Sequence, residues 1–146
     1  MKAALLQAEQ AFQEGEVPVG ALLVQGHEIL AQNRNRREAW CDATAHAEIL
    51  VLREAGQRLG GWRLADTTLY VTLEPCPMCA GALVLARVSR LVFGAFDPKG
   101  GAAGSLYDIP GDPRLNHRLE VTSGVLEKEC AALLQQFFRD KREPRP

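Results

Sequence analysis

TLYVTLEPCPMCAGALVLARVSRLVFGA, residues 68–95, decides the fold. Thr68 to Leu73 is a short apolar, β-rich run, the form of a strand buried in a sheet. Pro75 and Pro77 each fit the first turn of a helix, where a missing N–H costs nothing. From there an almost wholly apolar helix reads on to about Ala86, and Arg90 to Ala95 reads as a second long strand. Strands joined through a helix lie in one sheet without forming a hairpin. Upstream, Ala45, Ile49, Leu52 and Leu59 recur at helical intervals over about Ala43 to Leu59, until Gly60-Gly61 ends the pattern. Before that, Val19 to Val24 and Glu28 to Ala31 flank the turn Gln25-Gly26-His27 as a hairpin, and Gln32 to Asp42 reads as a loop. Ala4, Leu5, Ala8, Ala11 and Phe12 predict an N-terminal amphipathic helix that Gly15 stops.

Downstream of the quoted unit, Gly100-Gly101 and Gly104 break up the chain. Leu119 to Thr122 supplies a fifth strand, and Leu126, Cys130, Leu133, Leu134 and Phe137 line a last helix. The sum is an α/β fold, a three-layer helix–sheet–helix with a mixed five-stranded sheet, as one domain over residues 1–146. In such sheets, sites gather where strand ends meet helix starts.

Composition narrows the function. The 146 residues are 47% hydrophobic and 24% charged, ordinary for a globular domain that builds its own core. Seventeen basic against eighteen acidic side chains leave a net charge of −1, which excludes a strongly basic nucleic-acid coat. The charge is uneven, however. Arg34, Arg36 and Arg37 cluster in one predicted loop, and Arg139, Lys141, Arg142 and Arg145 collect in the tail, so two basic patches sit on an acidic body. The longest small or apolar run, Ala80 to Ala86, is far short of the ~20 residues of a membrane helix. The opening Met1-Lys2 leads into an amphipathic stretch with no secretory signal, so a cytoplasmic protein without a membrane partner is expected. Four cysteines, at 41, 76, 79 and 130, are too few for a disulfide framework in a chain of this size.

The chemistry rests on His46-Ala47-Glu48 and Pro75-Cys76-Pro77-Met78-Cys79. Alone, a histidine in an apolar helix reads as a satisfied core residue, and Cys-x-x-Cys as a redox pair or two buried thiols. Together they read as a metal site. Cys76 and Cys79 lie on one face of a first helical turn and can clasp one ion. His46 brings a third ligand from a second helix start. Thiolate and imidazole are a zinc donor set, and two positive helix ends favour the thiolate form. For a fourth protein ligand the candidates are Cys41, Cys130, His27 and His117. None forms a second close-spaced pair, so the site reads as open, with room for a water. Two positions turn a helix by about 200°, so Glu48 does not ligate beside His46. At a helix entrance it leans over the bound water as a proton carrier, or else serves the helix dipole as a first-turn carboxylate.

His-x-Glu followed by Pro-Cys-x-x-Cys is the signature of zinc-dependent nucleobase deaminases. Within that cytidine deaminase-like superfamily the chain resembles the bacterial tRNA-specific adenosine deaminases over nearly its whole length. The resemblance is carried in order by Glu16-Val17-Pro18-Val19-Gly20-Ala21, Thr44-Ala45-His46-Ala47-Glu48-Ile49, Leu73-Glu74-Pro75-Cys76, Met78-Cys79-Ala80-Gly81-Ala82, Gly101-Ala102-Ala103-Gly104-Ser105-Leu106 and Leu115-Asn116-His117-Arg118. It implies hydrolysis of adenosine to inosine at the wobble position of a tRNA anticodon, typically an arginine tRNA, by a homodimer with one Zn²⁺ per subunit. By the same resemblance, His46, Cys76 and Cys79 hold the zinc that activates water toward C6 of adenine. Glu48 protonates N1 and then the departing amine.

Asn35 matches the asparagine that hydrogen-bonds the flipped base, and the N–H groups of Ala47 and Cys76 are placed to read it. Asp97 and Lys99 match a loop flanking the substrate. A tRNA anticodon stem-loop then gives the basic patches a purpose, with Arg36, Arg37, Lys141 and Arg142 as candidate phosphate contacts. Phe138, at the edge of the last helix's apolar stripe, is expected chiefly to pack in the core, with base stacking as the alternative. The short end Glu143-Pro144-Arg145-Pro146 leaves the tail's share of tRNA affinity open, and Phe96 occupies a variable loop position.

Three rivals stand beside this reading. One is a deaminase of free guanine, cytosine or a nucleoside, which the metal motif alone does not separate. Another is a structural-zinc RNA-binding module with a closed site. The third is a thiol–disulfide oxidoreductase, whose chemistry requires neither His46 nor Glu48.

Overall fold

The unit over residues 68–95 folds as its pattern predicts in a computed structural model of the chain, which describes residues 1–143. Pro144, Arg145 and Pro146, the end of the basic tail, lie outside the described residues. In chain order the elements are α1 (Lys2–Gln13), β1 (Gly20–Gln25), β2 (Glu28–Arg34), α2 (Ala47–Leu59), β3 (Thr68–Leu73), α3 (Pro77–Leu85), β4 (Arg90–Ala95), β5 (Glu120–Thr122) and α4 (Glu127–Arg142). β3 and β4 are parallel, in register from Thr68 opposite Arg90 to Leu73 opposite Ala95, with α3 as their crossover. Of the two prolines, Pro77 takes the first helical position and Cys76 is the N-cap.

The five strands form one sheet in the order β2-β1-β3-β4-β5. β1 is antiparallel to β2 and to β3, whereas β4 is parallel to β3 and to β5, so the sheet is mixed as expected. Helices α1 and α4 pack on one face and on each other, and α2 and α3 pack together on the other side. The core between these layers is built on Leu69 and Val71 of β3 and Leu91 and Phe93 of β4, all fully buried.

Three sequence expectations shift. β2 runs on to Arg34, because Gln32, Asn33 and Arg34 find partners in Leu22, Ala21 and Gly20; composition reads these residues as loop, and only the neighbouring strand makes them sheet. α2 starts at Ala47 rather than near Ala43. Asp42 diverts the chain there, its Oδ1 accepting the Thr44 N–H at 2.8 Å and the Thr44 hydroxyl at 2.7 Å, a turn that competes with helix. The buried face of α2 is Ala47, Leu50, Val51 and Ala55, so Ile49 and Leu52 are only half-buried and Leu59 is 44% exposed. Small residues at Ala47 and Ala55 let the helix lie close on β1 and β2, and that closeness chooses the face.

α1 approaches β1 closely at Gly20. A Cβ there would overlap the Ala4 carbonyl oxygen and lie 2.6 Å from the Ala8 nitrogen, both backbone atoms of α1. Gly20→Ala is therefore expected to destabilise the protein by about 3 kcal/mol, since helix backbone cannot step aside as a side chain can. Urea unfolding of the two proteins measures this.

Mixed directions bring several chain ends to one sheet edge. The carboxyl ends of β2, β3 and β4 and the amino end of β1 meet there, tied by the Gly20 N–H donating to the Thr72 hydroxyl at 3.1 Å. The carboxyl ends of the parallel strands β3 and β4 lie at this edge, the side on which α/β sheets bind ligands.

Candidate active site

At that edge the helix starts of α2 and α3 face each other. His46 is the N-cap of α2 and Cys76 that of α3, each with an extended backbone that aims its side chain off the helix end. His46 Nδ1 lies 3.6 Å from Cys76 Sγ and 3.4 Å from Cys79 Sγ. A tetrahedral ion bound at ~2.3 Å to sulfur and ~2.05 Å to nitrogen spaces such ligands by about 3.6 Å. The donors thus already stand at the separation that zinc requires, and all three ligand atoms lie within 4.8 Å of one another.

No other described histidine, cysteine or acid joins this group. Cys41 is exposed, His27 sits in an exposed turn, and His117 Nε2 is 2.6 Å from the Val88 carbonyl. Cys130 is buried against Gly94, and burial pushes its thiol up to about 11. The three-ligand arrangement leaves a fourth position for water, as catalytic zinc sites do.

The thiols already polarise one another. Cys79 donates its S–H toward Cys76, which with the His46 contact outweighs burial and holds Cys76 down to about 4. Cys79, giving that bond and itself desolvated, is pushed up. Glu48, at the second position of α2, is 4% exposed. Burial raises its carboxyl above the ordinary value, against the pull of its own backbone N–H and of His46. A carboxyl held this way takes up and gives back a proton more readily than a solvated one.

His46, Glu48 and Cys76 line a cavity of about 850 Å³. Of the residues singled out from the sequence, Asn35, Arg37, His46, Ala47, Glu48, Cys76, Asp97, Lys99, Phe138 and Arg142 line it. Cys79 is buried beneath it. Asn35 is held rigidly: its Nδ2 donates to the Val17 carbonyl at 3.3 Å and its Oδ1 accepts the Arg37 N–H at 3.2 Å. Arg36 and Lys141 are not among the lining residues. Arg36 donates to Asn33 Oδ1 at 3.1 Å and lies over the Trp40 ring, while the Lys141 ammonium lies over the Phe137 ring. Phe137 is core as expected, but Phe138 is 44% exposed, which corrects its chief expectation of core packing. The single step along α4 that separates the two rings turns Phe138 off the buried stripe onto the cavity wall, edge-on to Phe137.

The sequence reading missed part of the wall. Gln135 and Arg139, given no place at the site from the sequence, line the cavity from the same face of α4 as Phe138 and Arg142, a helical spacing that was there to be read. Phe96 also lines it, half-exposed and edge-on to the buried Phe93. Two buried acids had been given no role. Glu16 accepts the N–H groups of Glu38 and Ala39 at 2.9 and 2.8 Å, and Glu74 accepts those of Asp97, Ala103 and Ser105. For Glu74, burial raises the carboxyl, but the Ser105 hydroxyl and the three N–H groups outweigh it and leave it below its ordinary value. No helix among the described residues is long and apolar enough to cross a membrane.

Comparison with known proteins places this geometry among relatives. The family model described as MafB19-like deaminase matches residues 1–142. The chain is 56% identical over 143 residues to a tRNA-specific adenosine deaminase of Bacillus subtilis, covering 98% of this chain and 89% of that protein. It superposes with a TM-score of 0.89 and 47% identity on a structure solved in a study of A-to-I editing by tRNA:A34 deaminases at the wobble position, over 92% of this chain and 97% of that one. It is also similar to the guanine deaminase from Nitrosomonas europaea, with a TM-score of 0.81 and 25% identity over 93% of this chain and 81% of that one.

Proposed function

Because this chain belongs to the MafB19-like deaminase family and, within it, to the tRNA-specific adenosine deaminases, we propose that it converts adenosine to inosine at the wobble position of a tRNA anticodon, that of an arginine tRNA. One observation carries the reading. The His46–Cys76–Cys79 group and Glu48 meet the floor of a cavity whose walls carry Arg37, Lys99, Arg139 and Arg142, in a chain whose net charge is −1. Cationic side chains gathered on one cavity of an otherwise acidic body fit an anionic backbone entering there.

His46 Nδ1 and the Cys76 and Cys79 thiolates would hold one Zn²⁺. When bound, that ion supplies the Lewis acidity that makes water nucleophilic at neutral pH. Glu48 takes the proton from that water as its oxygen bonds to C6 of adenine, and delivers it to N1. It then takes the proton of the new C6 hydroxyl and delivers it to the exocyclic nitrogen, so that the C6–N bond breaks, the oxygen becomes the C6 carbonyl of inosine and ammonia leaves. Asn35, fixed by Val17 and Arg37, presents its side chain to the flipped base, and the N–H groups of Ala47 and Cys76 read the base edge. Asp97 and Lys99 bracket the flanking nucleotide. An adenosine in an anticodon loop is already partly unstacked, so its extrusion costs only a few kcal/mol.

Arg37 and Arg142 are phosphate contacts on this reading, with Arg36 and Lys141 beside them and Phe138 as a stacking surface. Trp62, just beyond the end of α2, and Leu85, the last residue of α3, are exposed apolar side chains and support a homodimer. A substrate of this kind supports a cytoplasmic location.

Incubation with a tRNA-arginine anticodon stem-loop, read by mass spectrometry for inosine, tests the function against free guanine, cytosine and adenosine. Turnover of the free compounds alone overturns it in favour of a free-base deaminase. Arg142→Ala is expected to weaken stem-loop binding about equally for every loop sequence and to lower the salt slope by about one ion. Fluorescence anisotropy at several salt concentrations measures both.

A further inference from the structure

We propose that Glu74 is a positioning residue that sets the substrate loop, residues 96–105, against the metal-ligand helix; this rests on the reading of the cavity as the site for a tRNA loop. Glu74 stands between the end of β3 and Cys76 and is 2% exposed. Its carboxylate has no cation partner among the described salt bridges. Its Oε1 accepts the Asp97 N–H at 3.0 Å and the Ser105 hydroxyl, while Oε2 accepts the Ala103 and Ser105 N–H groups at 3.0 Å each. The backbone adds two clips, from the Glu74 N–H to the Ala95 carbonyl and from the Ala102 N–H to the Pro75 carbonyl, each 2.8 Å.

Every one of these side-chain bonds goes to the loop, and none goes to α3. A buried carboxylate is tolerated only when its lone pairs meet donors, and bonds to a charged acceptor are the strong ones. The loop therefore closes around this one group. Asp97 continues the chain of support, since its Oδ1 accepts the Lys99 and Gly100 N–H groups at 3.1 Å each. Lys99 is thus placed through Asp97, and Asp97 through Glu74. Gly101 completes the device: a Cβ there would overlap the Glu74 carboxylate. A polar, glycine-rich segment held this way arrives at the substrate already ordered, which removes an ordering cost from binding.

Glu74→Ala and Glu74→Gln, as full-length zinc-loaded enzyme, are compared with the unmodified protein for inosine formation in the anticodon stem-loop, zinc content and melting. The expected result is zinc unchanged, kcat nearly unchanged and KM raised, by roughly a hundredfold for alanine. Glutamine, which keeps one acceptor oxygen, raises it less. Gly101→Ala, made from the loop side and away from the metal helix, reproduces the KM effect and carries the test if Glu74→Ala does not fold. Lys99→Ala weakens binding in the unmodified protein and adds less than its full effect in Glu74→Gln, because the two act through one unit.

An unchanged KM in Glu74→Gln and Gly101→Ala, a KM rise that appears only with loss of zinc, or additive effects of Lys99→Ala each overturn the positioning role while leaving the substrate reading intact. An unmodified enzyme that makes no inosine in the stem-loop overturns the substrate reading and this role with it.

Discussion

Glu48→Ala is expected to lower the rate of inosine formation by roughly 10³- to 10⁴-fold while leaving zinc and fold in place. A positioned general acid–base contributes about 10²- to 10⁴-fold, and Glu48 is asked to serve more than one proton transfer, which puts the loss at the upper end. The fold should not suffer. Glu48 is buried with its carboxyl raised by desolvation, so its ionised form draws little stability from the surroundings that alanine would forfeit. Single-turnover rates on the stem-loop, with zinc content and a thermal melt on the same samples, separate the outcomes. Glu48→Gln, which keeps the volume and cannot carry the proton, is expected to behave the same way. A fully active alanine variant would falsify the proton-carrier role, and loss of zinc in either variant would turn Glu48 into a ligand.

Cys76→Ala is expected to remove zinc and activity together. His46 Nδ1 stands at tetrahedral separations from both thiols, and the three donor atoms lie within 4.8 Å of one another. Deleting Cys76 leaves only His46 and Cys79, and it takes away the thiolate held down to about 4. Two ligands do not hold a catalytic zinc against water and chelator. The unmodified enzyme, stripped with chelator, should recover activity on adding Zn²⁺, and Cys76→Ala should not. Metal analysis and the stem-loop assay, run before and after reconstitution, measure this. Activity without zinc in Cys76→Ala would remove the metal from the reaction. A Cys76–Cys79 redox pair gives the opposite signature, since its reactivity would survive His46→Ala.

Legibility in the sequence followed the range of the interaction. The unit from Thr68 to Ala95 could be read because each of its elements is specified by its own residues: a β-rich run, Pro77 at a helix start, an apolar helix and a second run. Elements whose limits depend on a partner were misjudged. Gln32, Asn33 and Arg34 are strand only because β1 lies beside them, and the buried face of α2 is set by how near Ala47 and Ala55 let it come to the sheet. At the candidate site, His46, Glu48, Cys76 and Cys79 were visible because the spacing of a first helical turn encodes geometry locally. Arg139 shares a helical face with Phe138 and Arg142, but nothing local ties that face, or Phe96, to the cavity that they reach from distant segments. Phe138 shows the limit most plainly, one residue from a core ring and yet on the cavity wall.

By itself the sequence determined the α/β class and marked out the candidate metal donors and the acid beside them, since each is a short-range pattern of residue types on a helix or strand of known period. Its net charge of −1 excluded a nucleic-acid coat but said nothing of where the charges go. Only the tertiary structure decided that basic residues from the loop after β2, the loop after β4 and the last turns of α4 share one cavity with the metal ligands. It also decided that a buried glutamate gathers one of those loops. The reason is physical: mixed strand directions bring chain ends that are far apart in sequence to one edge of the sheet, where the carboxyl ends of the parallel strands β3 and β4 lie.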